Sequence, residues 1–176
     1  MPGFDNIVLV GFMGCGKSTV AAELAGRCAW QYVDLDEVIV SQAGRSIPVI
    51  FAEDGEDTFR RLETEALRGL VGRRGLVVAA GGGIVLRREN WNLMRQLGPV
   101  VFLQTDPGVI RSRLQGPSGR PLADGQSWAD ILAHYQQRLP FYRQADVTVE
   151  LTDESPEEIA GIVLRAIENG LNGKNG

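Results

Sequence analysis

Ile7-Val8-Leu9-Val10 runs directly into Gly11-Phe12-Met13-Gly14-Cys15-Gly16-Lys17-Ser18, and an Ala-, Glu- and Leu-rich helical pattern follows from Thr19 to Cys28. The octapeptide matches G-x-x-x-x-G-K-[ST], and its place between an apolar strand and a helix gives the match its weight. Glycines let backbone N–H groups converge on phosphate oxygens, while the helix N-terminus adds positive potential. In a loop of this kind Lys17 reaches the outer phosphates and Ser18 offers its hydroxyl to a divalent cation. Cys15 takes a permissive position inside the loop and reads as an incidental small residue.

Outward from this stretch, four further short apolar runs lie at 31–33, 76–80, 100–103 and 147–149. Each is continuous rather than alternating, as strands covered on both faces are. Helical patterns lie at 59–70, with apolar residues at 59, 62, 66 and 70, and at 108–114, 128–142 and 156–168. Strand alternating with helix predicts a doubly wound α/β sheet in one domain spanning 1–176. Two segments interrupt the alternation: 36–70, helical with no strand of its own, and 115–127, rich in Gly, Pro and polar residues. Both are candidates for mobile, ligand-contacting parts. The Gly- and Asn-rich end, 170–176, has the composition of a disordered tail.

Composition removes several classes of function. Net charge is −4 with both signs interspersed, so no electrostatic footprint for nucleic acid or an anionic membrane is expected. No apolar run reaches the length of a membrane span, and 1–5 has no secretory pattern, which points to a cytoplasmic protein. The two cysteines, Cys15 and Cys28, predict neither a disulfide framework nor a metal cluster.

A magnesium carboxylate in such a protein is expected at a strand end. The run at 76–80 ends in Gly81-Gly82-Gly83 with no acid, and Asp106, beside Pro107, suits a helix cap. Asp34 and Asp36 remain, two acids at i and i+2 that can aim one carboxylate at metal and the other at a substrate hydroxyl. Asp36 can equally cap the helix opening at Glu37. Three consecutive glycines after a central strand serve close approach of a ligand to backbone, because packing would favour side chains. Ligands of open α/β sheets lie beyond the carboxyl ends of the strands, where both glycine loops belong. Arg60 has Glu63 three residues on to orient it. Arg138 flanks the stripe Leu132, Tyr135, Leu139 and Tyr142. Arg120, within Arg120-Pro121-Leu122 on the Gly/Pro-rich segment, suits a lid closing over a transferring phosphoryl group.

The ordered set 11–18, Asp34-Leu-Asp36, Ser46-Ile47 through Phe51-Ala-Glu-Asp-Gly55, Phe59-Arg60-Arg-Leu-Glu63, Gly81-Gly-Gly83 and Arg120-Pro121-Leu122 resembles shikimate kinase over nearly the whole chain. The resemblance implies a three-layer α/β/α fold of the P-loop, nucleoside monophosphate kinase-like type, with a five-stranded parallel sheet. It makes 36–70 a substrate-binding insertion and 115–127 a lid. It implies that Gly14, Cys15, Gly16, Lys17, Ser18 and Thr19 hold ATP, and that Ser18 and Asp34 hold one Mg²⁺. Asp36 would bind a ring hydroxyl and act as base, Arg60 and Arg138 would clamp the shikimate carboxylate, and Gly81, Gly82 and Gly83 would bring backbone amides to the substrate. Lys17, Asp36 and Arg120 would be catalytic, with Arg120 reaching the γ-phosphate, and Arg113 would lie near adenine. Shikimate and ATP are then the partners of a monomer. Ala123 departs from the second Leu usual in the family's lid, and Thr152-Asp-Glu-Ser-Pro156 lacks an Arg found in some members. Two other readings stay open: a related small-molecule kinase, such as a gluconate kinase, and a nucleotide-binding regulatory module that has lost catalysis.

Overall fold

Continuous apolar sequence puts the central strands in the interior. In the computed structural model, which describes residues 3–115 and 126–172, with side chains as far as residue 170, β1 (Asn6–Val10) and β3 (Leu76–Ala79) are buried at every position. They are joined by β2 (Gln31–Asp34), β4 (Val100–Thr105) and β5 (Val147–Leu151) in one all-parallel sheet of order β2-β3-β1-β4-β5.

Side chains alternate across this sheet and divide the core in two. Ile7 and Leu9 point to the layer formed by α1 (Lys17–Cys28) and α7 (Pro156–Asn172), where Val20, Leu24, Ile159 and Val163 meet them. Val8 and Val10 point to the opposite layer, with Leu67 of α3 (Ile47–Leu70), Met94 of α4 (Arg88–Leu97) and Tyr142 of α6 (Trp128–Tyr142). Two further helices, α2 (Leu35–Ala43) and α5 (Pro107–Gln115), complete the described elements. The chain leaves β1 toward one layer and β3 toward the other. These neighbouring strands therefore open a crevice at their carboxyl ends, where open α/β sheets bind ligands.

The structure corrects four expectations. Segment 36–70 is helical, but α3 starts at Ile47, twelve residues before the pattern at 59, and breaks at Gly55 (φ 80°, ψ 172°). Helix α4 was not expected at all, although Trp91, Met94 and Leu97 share one buried face and Gly98 ends it. The tail expected to be disordered from 170 is helical through Asn172. The helix after β2 is capped by Asp34 rather than Asp36: Asp34 Oδ1 accepts from the Asp36 and Glu37 N–H groups at 2.9 and 3.4 Å. Of the segment expected to form a lid, 116–125, with Arg120 and Ala123, lie outside the described residues.

Candidate active site

Gly14 and Gly16 carry left-handed φ values of 75° and 89°, conformations that a side chain disfavours, and Gly16 sits at the N-cap of α1. Among the described residues no side chain caps that helix, so its first N–H groups remain directed at the loop. Lys17 Nζ folds back over the loop and donates to the Gly11 and Phe12 carbonyls at 2.6 and 3.1 Å. Cys15 is buried beneath the loop, its Sγ 3.6 Å from Lys17 Nζ. Thr19 is exposed on the first turn of α1. Arg113 reaches across from α5 and donates to Gly14 O at 3.3 Å, so this guanidinium lies against the phosphate loop.

Beside the loop, Ser18 Oγ donates to Asp34 Oδ2 at 3.2 Å, and Tyr32 Oη donates to the same oxygen at 3.1 Å. Asp34 thus splits its work: one oxygen caps α2 while the other faces Ser18. Oxygen donors of this kind suit a hard divalent cation. Among the described residues no three His, Cys, Asp or Glu side chains group as a metal cage. An ion held here would complete its shell with phosphate oxygens and water, as Mg²⁺ sites on nucleotides do.

One strand over, Gly81–Gly83 follow β3, and the register sets Asp34 opposite Ala79. A β-carbon on Gly81 would stand 3.0 Å from Glu63 Oε1 and 3.1 Å from Asp36 Oδ1, and one on Gly83 would stand 2.2 Å from Arg60 Nη1. Near Gly82 the corresponding neighbours are the Tyr142 hydroxyl at 3.5 Å and Arg138 Nη1 at 3.6 Å. The glycines are therefore walled by Asp36, Glu63, Arg60 and Arg138. Close approach, rather than chain flexibility, accounts for glycine at 83.

Arg60 Nη1 donates to Glu63 Oε2 at 2.7 Å, with side-chain exposures of 11% and 1%. A pair this dry, once broken, costs about 3–5 kcal/mol because a charge is stranded. The exposed Arg61–Glu65 pair, at 60% and 45%, contributes about 0–1 kcal/mol. Burial pushes the Glu63 carboxyl up and outweighs the opposing pull of Arg60; Asp36 pushes the same way and Arg138 against it. Four charged groups thus share one small field. Burial also works against the Arg60 charge, but Glu63 and Glu56 more than offset it. Among the described residues Glu63 Oε1 is buried without a hydrogen-bond partner, and it is this oxygen that faces Gly81.

Sequence reasoning missed the groups that brace this wall. Tyr142, read only as part of an apolar stripe, donates to Gly82 O at 2.6 Å. Phe12 underlies Arg138, 5.7 Å from its ring centre. Asn90, fully buried, donates to Ile84 O at 2.9 Å and accepts from Thr64 Oγ1 at 2.8 Å, tying α4 and α3 to the turn after the glycines. A signal existed for Tyr142, which follows Arg138 by four residues and so shares its helix face.

A loop able to hold anionic phosphates on β1 and an arginine-lined pocket on β3 share one crevice, with a carboxylate, Asp36, on the border between them. That is the layout of a P-loop kinase acting on a small anionic acceptor. The shikimate kinase family model matches residues 13–168. A shikimate kinase of Geobacter sulfurreducens is 45% identical over 88% of this chain and 86% of its own length, and one of Synechococcus elongatus is 42% identical over 94% and 88%. A solved shikimate kinase of Acinetobacter baumannii, in complex with shikimate, superposes with a TM-score of 0.85 at 34% identity, covering 93% of this chain and 92% of that one. The chain belongs to the shikimate kinase family.

Proposed function

We propose that the protein transfers the γ-phosphoryl group of MgATP to the 3-hydroxyl of shikimate, giving shikimate 3-phosphate and ADP. One observation carries the reading: Arg60, Arg138 and Asp36 converge on the Gly81–Gly83 turn, one strand from the phosphate loop. Two guanidinium groups suit a carboxylate held in a fixed orientation, and a carboxylate beside them suits a ring hydroxyl. The A. baumannii relative is described as bound to shikimate.

In this mechanism Arg60 and Arg138 hold the substrate carboxylate, and the glycine amides with Asp36 set the ring hydroxyls. Asp36 takes the proton of the 3-hydroxyl as its oxygen bonds to the γ-phosphorus and the bond from that phosphorus to the β–γ bridging oxygen breaks. Lys17 and the amides of Gly14 to Ser18 hold the charge gathering on the β- and γ-phosphates. Ser18 and Asp34 would hold a Mg²⁺ ion, which would supply charge neutralisation at those phosphates. Arg120, which lies outside the described residues, is assigned by the resemblance to the γ-phosphate, and Arg113, beside the loop, flanks the nucleotide. We place the enzyme in the cytoplasm as a monomer. Among the described residues no helix is long and apolar enough to cross a membrane, and the exposed large apolar side chains (Met13, Val40, Val49, Phe51, Leu86, Phe141) are spread over several elements.

Arg60→Ala tests the assignment. Loss of a charge-assisted contact should raise KM for shikimate by roughly 30- to 1,000-fold, about 2–4 kcal/mol, with MgATP affinity within about twofold of wild type. Because the substitution also strands Glu63, retained MgATP binding serves as the check on folding. Equal loss of both affinities would contradict the role.

A further inference from the structure

We propose that the Tyr142 hydroxyl is a positioning group for the acceptor site, joining Arg138 and the Gly82 carbonyl into one unit so that the carboxylate clamp and the glycine turn keep a fixed spacing. The inference rests on the assignment of Arg138 and the glycines to the acceptor. Tyr142 is 0% exposed, and its ring stacks on Phe102 of β4 at 5.0 Å with planes 14° apart. The phenol is therefore anchored to the middle of the sheet. Its oxygen donates to Gly82 O at 2.6 Å, while its lone pairs remain for a donor. Arg138, one turn earlier on α6, brings a guanidinium to the same place: its Nη1 lies 3.6 Å and the Tyr142 hydroxyl 3.5 Å from the position a β-carbon on Gly82 would take, and its charge opposes the rise that burial gives the phenol.

Two consequences follow from this geometry. A trans peptide sets its C=O and following N–H in opposite directions. Holding the Gly82 carbonyl against the phenol therefore turns the Gly83 N–H away from it and fixes the plane of the amide offered to substrate. The guanidinium of Arg138 also lies over the face of Phe12, 5.7 Å from its centre. Phe12 is the second residue of the phosphate loop and meets Tyr135 edge to face at 5.4 Å. A single face of α6 thus grips both the acceptor wall and the loop that holds ATP.

Tyr142→Phe removes the hydroxyl and keeps the ring, so the stacking on Phe102 and the packed volume survive. The expected result is a KM for shikimate raised about 5- to 30-fold, the range for stranding one buried polar group. KM for MgATP should stay within about twofold and kcat at saturating shikimate should fall less than about threefold. A purely structural role predicts a lowered melting temperature with both KM values unchanged, and that outcome overturns the proposal. A cycle with Arg138→Ala reads the coupling directly: in that background Tyr142→Phe should change the shikimate KM by less than about threefold. Full multiplicative effects would mean that the two residues act independently, which also overturns it. If Arg138→Ala alone leaves the shikimate KM unchanged, the assignment of Arg138 itself fails and takes this inference with it. Normal loss in Arg138→Ala beside an unaffected Tyr142→Phe sinks this inference alone.

Discussion

Alanine at position 83 would carry a β-carbon to 2.2 Å from Arg60 Nη1, whereas at position 82 the nearest atom would be 3.5 Å away, an ordinary contact. The backbone of neither residue requires positive φ, so the difference between them is steric and local. Gly83→Ala should push the Arg60 guanidinium off its seat on Glu63 and raise the shikimate KM at least about 30-fold, the scale of one lost charge-assisted contact. Gly82→Ala should stay within about fivefold. Steady-state kinetics on both variants decide it, and equal effects would show that the glycines serve the backbone rather than the pocket. At this scale much was legible in the sequence. Asp34 and Asp36 stand out because the other strand ends lack a suitable acid, and Glu63 because it sits three residues from Arg60. What the sequence hid was the division of Asp34 between cap and crevice. A carboxylate has two oxygens, and only geometry tells which way each one faces.

Between α3, α4 and the glycine turn, a buried polar network sets the register of the acceptor wall. Thr64 Oγ1 lies 2.8 Å from Asn90 Oδ1 and 3.1 Å from Arg60 O, Asn90 Nδ2 donates to Ile84 O, and Trp91 Nε1 donates to Val85 O. Asn90→Ala strands the Ile84 carbonyl and frees the Thr64 hydroxyl, and should cost about 2–4 kcal/mol, read as a lower midpoint in urea or thermal denaturation. Arg68→Ala removes the Arg68–Glu89 pair between the same helices, where both side chains are more than half exposed, and should cost about 1 kcal/mol or less. Similar losses in the two variants would refute the network's role. The strands were easy to read because buried parallel strands need unbroken apolar runs. Helix α4 was harder: two arginines and two asparagines fall within ten residues, and its buried members include Asn90, a residue whose place in a core depends on partners far along the chain. The helical character of 36–70 was legible, but not where α3 starts, because Gly55 interrupts the spacing that its continuation obeys.

For the molecule as a whole, net charge of −4 gives no general attraction for anionic substrates, so both must be held by local design. In the proposed reaction Lys17 and the loop amides would do this on one side of the crevice, and Arg60 with Arg138 on the other. The sheet order that puts β3 beside β1 brings together residues 17 and 83, far apart in sequence. That both glycine loops lie beyond the carboxyl ends of the strands was legible from the open α/β pattern, which gave alternating strands and helices without their order. The central claim, transfer from ATP to shikimate, is tested most directly by coupled ADP release from the purified protein with MgATP and either shikimate or gluconate. The account predicts ADP release that depends on shikimate, is matched mole for mole by shikimate 3-phosphate, and is absent with gluconate. Turnover with gluconate, or ADP release indifferent to shikimate, would contradict it.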